Sequence, residues 1–190
     1  MLLEILLVVL GILILLALII GGWIIGLYNT MVTAVQDINN MWSDVKTEYQ
    51  RRADLFMNLV ETTKVYAKFE KDTLTQVIAA RGGNFGKTNE EQMKKLKGLD
   101  NLFGKLMVVF ERYPKLKAVK EYDKLMEEIR ITEDRINVAR TDFNAIVRDY
   151  NVMIKEFPAR YFARKWNYNE WKYFENEPTT DKAPKIDMKI

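Results

Sequence analysis

The stretch that decides the fold is YDKLMEEIRITEDRINVARTDFNAIVRDYNVMIKEF, Tyr122 to Phe157. Its seam positions are Tyr122, Leu125, Ile129, Thr132, Ile136, Ala139, Phe143, Ile146, Tyr150, Met153 and Phe157, alternating three and four apart for five heptads. In a helix of ~3.6 residues per turn, that spacing puts all of them on one face. An average period near 3.5 is the a/d pattern of helices packed lengthwise against one another. Pro158, which cannot continue a helix, is predicted to stop it.

The same register runs upstream. Met31, Val35, Ile38, Trp42, Val45 and Tyr49, then Arg52, Phe56, Leu59, Thr63 and Tyr66, form a second seam. Neither Gly nor Pro occurs between Tyr28 and Arg81, so one long helix is expected there, with Asp54 to Asn58 the place where a break would divide it. Arg81-Gly82-Gly83-Asn84-Phe85-Gly86 reads as a turn, and Thr88 with Glu91 as a capping box for the next helix. Glu90 and Glu91 precede Lys94 and Lys95 by four residues, a spacing that gives small surface support. Leu96, Leu99, Phe103, Leu106 and Phe110 form that helix's buried face. Gly98 and Gly104 each cost a helix interior ~1 kcal/mol against Ala, which suggests a close helix contact there. Tyr113-Pro114 is predicted to end this helix and open the next. No segment alternates with period two, so no sheet is expected, and helices joined by short loops must bury their stripes on each other as a bundle of three or four.

Ile5 to Leu27 carries no charged side chain. At ~1.5 Å per residue, 23 residues reach roughly 35 Å, enough to cross a bilayer's hydrocarbon core. Trp23 and Tyr28 fall where aromatic rings favour the membrane interface. Glu4 and the lack of a small-residue cleavage pattern argue for a retained single-pass anchor over a signal peptide. The first basic residue is Lys46, followed by Arg51 and Arg52, so positive-inside bias favours the bulk of the chain on the cytoplasmic side of the cell membrane. Gly22 and Gly26 have the small-xxx-small spacing that lets two membrane helices meet as a homo-oligomer, although glycine is common in such helices anyway.

Among 190 residues there is no Cys and no His. That removes disulfides, thiolate nucleophiles, the usual general base and the commonest metal ligand. Gly82 to Thr88 ends in Gly-Lys-Thr, but Arg81 stands where a phosphate loop requires its first Gly. Glu111, Glu127, Glu128 and Glu133 lack the His that bundle dimetal sites use, and Ser43, the single serine, has no His to activate it. The expectation is a protein without catalytic activity, metal or cofactor.

Phe157 to Phe174 holds eight of the chain's 22 aromatic residues, interleaved with Arg160, Arg164, Lys165 and Lys172 against one acid, Glu170. This segment can pack on the bundle, lie on anionic lipid, or bind a partner protein or single-stranded nucleic acid. Arg160, Arg164, Lys165, Trp166 and Trp171 are the candidate lipid or partner contacts. A net charge of +3 is too small to argue strongly for nucleic acid. Glu175 to Ile190, with two prolines and little apolar content, reads as a disordered tail.

Several ordered blocks resemble the LemA family. They are Gln50-Arg51-Arg52-Ala53-Asp54-Leu55, Asn58-Leu59-Val60, Tyr66-Ala67, Ala80-Arg81, Glu111 through Ala118, Thr132 through Arg140, Phe143-Asn144, Tyr150-Asn151 and Phe157-Pro158. The resemblance covers residue 28 to about 174, after a membrane span placed as in that family. It implies a bacterial, all-α protein: an N-terminal transmembrane helix followed by an antiparallel up-and-down bundle of three to four long helices. The expected division is an anchor over 1–27, a bundle over 28–157, and the aromatic–basic segment with its tail over 158–190. Family members usually carry Ile-Pro where this chain has Phe56-Met57, and His where Phe69 stands. Without that proline, an unbroken first helix is easier here.

Arg52 occupies a seam position, where an unpaired charge is costly. The family-like blocks carry Glu133, Glu111 and Asp54 with it as partners, and Arg51 and Arg140 join them as candidates for ion pairs that fix helix register. A sharper alternative gathers Arg51, Arg52, Arg135 and Arg140 into an anion site. The functional expectation is a membrane-anchored scaffold for an unidentified protein partner; the alternative is a membrane-shaping or anionic-lipid-binding oligomer.

Overall fold

A computed structural model of the chain describes residues 1–63, 71–112 and 120–174. Among the described residues there are five helices and no strand: α1 Leu2–Thr63, α2 Lys71–Arg81, α3 Asn89–Arg112, α4 Tyr122–Met153 and α5 Ala159–Lys165. The chain divides into two compact units. The first takes Met1–Met41 and Ala145–Lys172; the second takes Trp42–Asn144 and the chain from Tyr173. Tyr66, Phe69, Tyr113-Pro114 and the tail from Glu175 lie outside the described residues.

In the second unit, side-chain pairs fix the register. Trp42, Tyr49 and Phe56 of α1 meet Gln92, Asp100 and Phe103 of α3, so those two helices run in the same sense. Trp42, Tyr49 and Arg52 meet Phe143, Arg140 and Glu133 of α4, so α4 runs against them. This is the up-and-down arrangement expected. Tyr49, Phe56, Leu59, Leu96, Phe103, Leu106, Ile129, Ile136 and Phe143 are all fully or almost fully buried. Each such side chain is worth ~1.5–3 kcal/mol when removed from water. Phe56 stacks on Phe103, centroids 4.8 Å apart and planes 6° from parallel. α1 passes through Asp54 to Asn58 without interruption, as the missing proline permits.

The turn between α2 and α3 forms as expected. Gly83 (φ 68°) and Gly86 (φ 113°) take the left-handed backbone that side chains resist. The Asn84 amide returns to the Ala79 carbonyl at 3.0 Å, closing the end of α2. The Glu91 amide donates to Thr88 Oγ1 at 3.2 Å, and Glu91 Oε2 accepts from the Lys87 and Thr88 amides at 3.0 and 3.4 Å. Glu91 therefore caps the loop, and Lys95 reaches instead to the Asn84 carbonyl at 3.4 Å. The close helix contact expected at Gly98 and Gly104 is not formed among the described residues: a Cβ at either would meet nothing of them within 4 Å.

Two details of the α4 seam are corrected. Beyond Phe143 the expected Tyr150 is buried, but Val147 and Ile154 are the buried neighbours of Ile146 and Met153, which are only half-buried. A straight helix drifts ~20° per heptad from a strict 3.5 repeat, which moves the inward face one residue on. The helix also ends at Met153, not at Pro158. The residue before a proline is biased away from helical backbone, so Phe157 leaves the seam and stands 79% exposed.

In the first unit, α1 supplies one helix long and apolar enough to cross a membrane, and none of its most apolar window is buried inside the protein. Beside it, α5 packs Phe162 on Trp23 and Trp166 on Tyr28, edge-to-face with centroids 6.0 and 5.1 Å apart. The chain after α5 is held to the end of α4. Tyr150 Oη donates to the Asn169 carbonyl at 3.0 Å, and Asn151 pairs with both the amide and the carbonyl of Trp171 at 2.9 Å. Lys155 and Glu170 form an ion pair at 2.7 Å.

Candidate functional site

In the second unit, two arginines, two carboxylates and a tyrosine converge on one cluster. On α1, Tyr49, Arg52 and Phe56 share a face at spacings of three and four. On α3, Asp100 and Phe103 are one turn apart; on α4, Glu133 and Arg140 are two turns apart. The seams that bury the apolar stripes thus bring two cations and two carboxylates together.

Arg52 is 5% exposed. Its Nη2 lies 3.3 Å from Glu133 Oε2 and its Nη1 3.9 Å from Asp100 Oδ1. Its guanidinium also lies over the Phe103 ring, 4.8 Å from the centroid, and 5.9 Å from that of Phe56. Burial pushes the Arg52 pKa down from its ordinary value, while Glu133 and Asp100 push it back up. Its Nε is buried without a hydrogen-bond acceptor among the described residues.

Arg140 Nη2 contacts both Asp100 Oδ2 and the Tyr49 hydroxyl. That hydroxyl donates to the Asp100 carboxylate, at 3.0 and 2.9 Å from its two oxygens. The Arg140 guanidinium lies 4.5 Å from the centroid of Phe174 and 5.3 Å from that of Tyr49. Asp100 is the hinge of the cluster, bridging two arginines and a phenol. Two positive and two negative charges oppose one another, so the arrangement locks α1, α3 and α4 in register.

The sequence-based candidates separate cleanly. Arg52, Glu133 and Arg140 join the cluster. Asp54 pairs instead with Arg81, at 2.7 Å and half-exposed. Glu111 and Arg51 are exposed, as is Arg135, whereas Arg52 is buried and Arg140 half-buried. Arg52 and Arg140 face carboxylates of this chain. Among the described residues no group of three or more Asp and Glu is placed to hold a metal ion.

Three bracing positions were not among the sequence-based site candidates. Asp100 flanks the Leu96–Leu99–Phe103 stripe without marking itself. Gln92 accepts from Trp42 Nε1 at 2.6 Å and donates to the Gly86 carbonyl at 3.0 Å, tying the turn to the core. Asn144 pairs with both backbone groups of Phe174, at 2.7 and 2.9 Å. A signal for that brace was present: Phe143-Asn144 and Tyr150-Asn151 repeat an aromatic–Asn pair seven residues apart on α4.

In the first unit, Arg160, Arg164 and Lys165 are exposed, and Trp166 and Trp171 are half-buried. Trp166 packs on Tyr28 and on Phe162, and the Trp171 backbone is held by Asn151.

Comparison with known proteins bears on both units. The model of the LemA family matches residues 41–188. The magnetosome protein MamQ 1 of Paramagnetospirillum magneticum is 33% identical over 181 residues, covering 81% of this chain and 66% of the relative. The MamQ of Magnetospirillum gryphiswaldense is 31% identical with the same coverage. Protein LemA of Metamycoplasma hominis is 28% identical over 145 residues, 74% of this chain and 65% of that protein. The chain spans about two thirds of the length of these curated relatives.

Proposed function

The chain belongs to the LemA family, and from that membership we propose that it serves as a membrane-tethered, non-enzymatic scaffold whose helical surface engages a partner protein. α1 crosses the membrane once and the bulk of the chain faces the cytoplasm. The observation that carries this reading is the closed charge cluster. The arginines best placed to meet a substrate anion are spent on Asp100 and Glu133 and covered by Phe56, Phe103 and Phe174. A cluster of that kind supports rigidity and register, which a scaffold needs. The lack of His and Cys in the sequence supports the same reading, because acid–base and nucleophilic chemistry draw on them first. On α4, Ile131 and Val138 stand 42% and 61% exposed, seven residues apart with Arg135 between them, and offer an outward stripe for a partner.

The test is crosslinking of the full-length protein in its own membrane, compared with an Ile131→Glu, Val138→Glu variant. A discrete protein adduct that the variant loses supports the scaffold. Adducts that survive the change, or substrate turnover by the purified protein, would overturn it. The second reading, an anionic-lipid-binding oligomer, draws support from the exposed cations of α5.

A further inference from the structure

The two aromatic contacts of α5 set its direction. Going from Phe162 to Trp166 on α5 matches going from Trp23 to Tyr28 on α1. Four residues of one helix, ~6 Å, run beside five of the other, ~7.5 Å, so α5 follows α1 in the same sense. The part of α5 before Phe162 therefore lies on the side of Trp23 that leads into the apolar stretch. That places Tyr161, Arg160 and the turn at Phe157 level with the last turns of the segment Ile5 to Leu27.

The side chains at this level suit a lipid boundary. Phe157 is 79% and Tyr161 66% exposed, and they meet edge-to-face at 5.9 Å. Two large rings projecting into water at this height would be costly; at a headgroup–acyl boundary they are favoured. Arg160 and Arg164, one turn apart, line an open cleft of about 580 Å³ with Lys155, Tyr161 and Glu170. Lys165 is exposed one residue further on. Aromatic residues on one side and guanidinium groups beside them are what an element lying in the membrane surface requires.

We infer that the α4–α5 turn and α5 form a membrane-surface wedge: Phe157 and Tyr161 enter the headgroup–acyl boundary of the leaflet that α1 leaves, and Arg160, Arg164 and Lys165 hold the phosphates of anionic lipids. The occupant is the bilayer itself, because the wedge is continuous with the apolar helix through Trp23 and Phe162. This inference rests on α1 spanning the membrane, and it adds a second point of attachment that the scaffold reading does not need.

The absence of native cysteine makes the test direct. Single-cysteine variants Leu15→Cys, Phe157→Cys, Tyr161→Cys and Asp142→Cys of the full chain are spin-labelled in vesicles. The vesicles contain phosphatidylcholine, alone or with phosphatidylglycerol. Collision rates with oxygen and with a water-soluble nickel chelate then report depth. Labels at 157 and 161 are expected to shift from the aqueous value seen at 142 towards the lipid value seen at 15. The shift should grow with phosphatidylglycerol, and that dependence should be lost in Arg160→Gln, Arg164→Gln, Lys165→Gln and in high salt. A water-exposed label at 157, a label shielded from both reagents as by a protein partner, or indifference to lipid charge would each overturn the wedge. An aqueous label at 15 would instead overturn the spanning helix on which it rests. Far-ultraviolet circular dichroism of each variant shows that its helices are intact, so the labels report position in a folded chain.

Discussion

At the scale of residues, the structure ranks polar groups by what they oppose. Asp100 faces two arginines and a phenol, whereas Glu133 is half-exposed and faces one arginine. Asp100→Asn is expected to cost ~2 kcal/mol, less than a fully buried pair because water reaches this carboxylate. Glu133→Gln should cost under ~1 kcal/mol. Denaturant unfolding of the full chain in detergent would measure both, and equal losses would remove Asp100 as the hinge. Glycines separate in the same way. Gly83→Ala should cost roughly 1–2 kcal/mol, since φ is positive, while the Gln50 side-chain amide in its way can swing aside. Gly98→Ala should gain ~0.5–1 kcal/mol, since it is helical and open. Tyr150 adds a pH dependence. Burial raises its pKa above the ordinary phenol value, with Tyr168 adding to the shift. A raised folded-state pKa means that its contribution is complete below the unfolded value of ~10 and is lost as pH rises through the folded value. Its hydrogen bond to the Asn169 carbonyl also needs the proton. Alkaline titration should therefore loosen the chain near Asn169, and Tyr150→Phe should remove that component of the pH profile.

At the scale of elements, α4 does two jobs with one helix. Its seam fills the core, while Asn144 and Asn151, each next to a buried aromatic, clasp the backbone of the chain that follows α5. Each clasp replaces the backbone pairing that an extended segment lacks. Asn151→Ala should expose the Trp171 amide to solvent exchange and leave Phe174 protected; Asn144→Ala should do the reverse. Hydrogen exchange read residue by residue would show this, and simultaneous loss at both amides would mean that the clasps are not local. The helices and the α2–α3 turn were legible because seam spacing, glycine placement and the Thr88–Glu91 box each act within a few residues. The end of α4 was misplaced because a strict heptad ignores the drift of a straight helix and the bias that Pro158 puts on Phe157.

At the scale of the whole molecule, the apolar stretch and the charged helices require different solvents. Leu13→Lys with Leu16→Lys puts two ammonium groups near the middle of the stretch, each opposing insertion by ~3 kcal/mol. The variant is expected to move from the membrane pellet to the soluble fraction on alkaline extraction, while the parent chain stays in the pellet. A variant that remained membrane-bound would mean that α1 contributes little to attachment.

Which segments are helical, which face of each is oily and where the lipid-soluble stretch falls are properties of residue order, because periodicity and hydropathy act along the chain. The choice of Asp100 over Asp54 and Glu111 as partner for the seam arginines was decided in three dimensions. It depends on which turns of α1, α3 and α4 come level, and packing of whole stripes sets that level. The same holds for Phe162 against Trp23: composition marks both as aromatic, but only the path of the chain after Met153 brings them together.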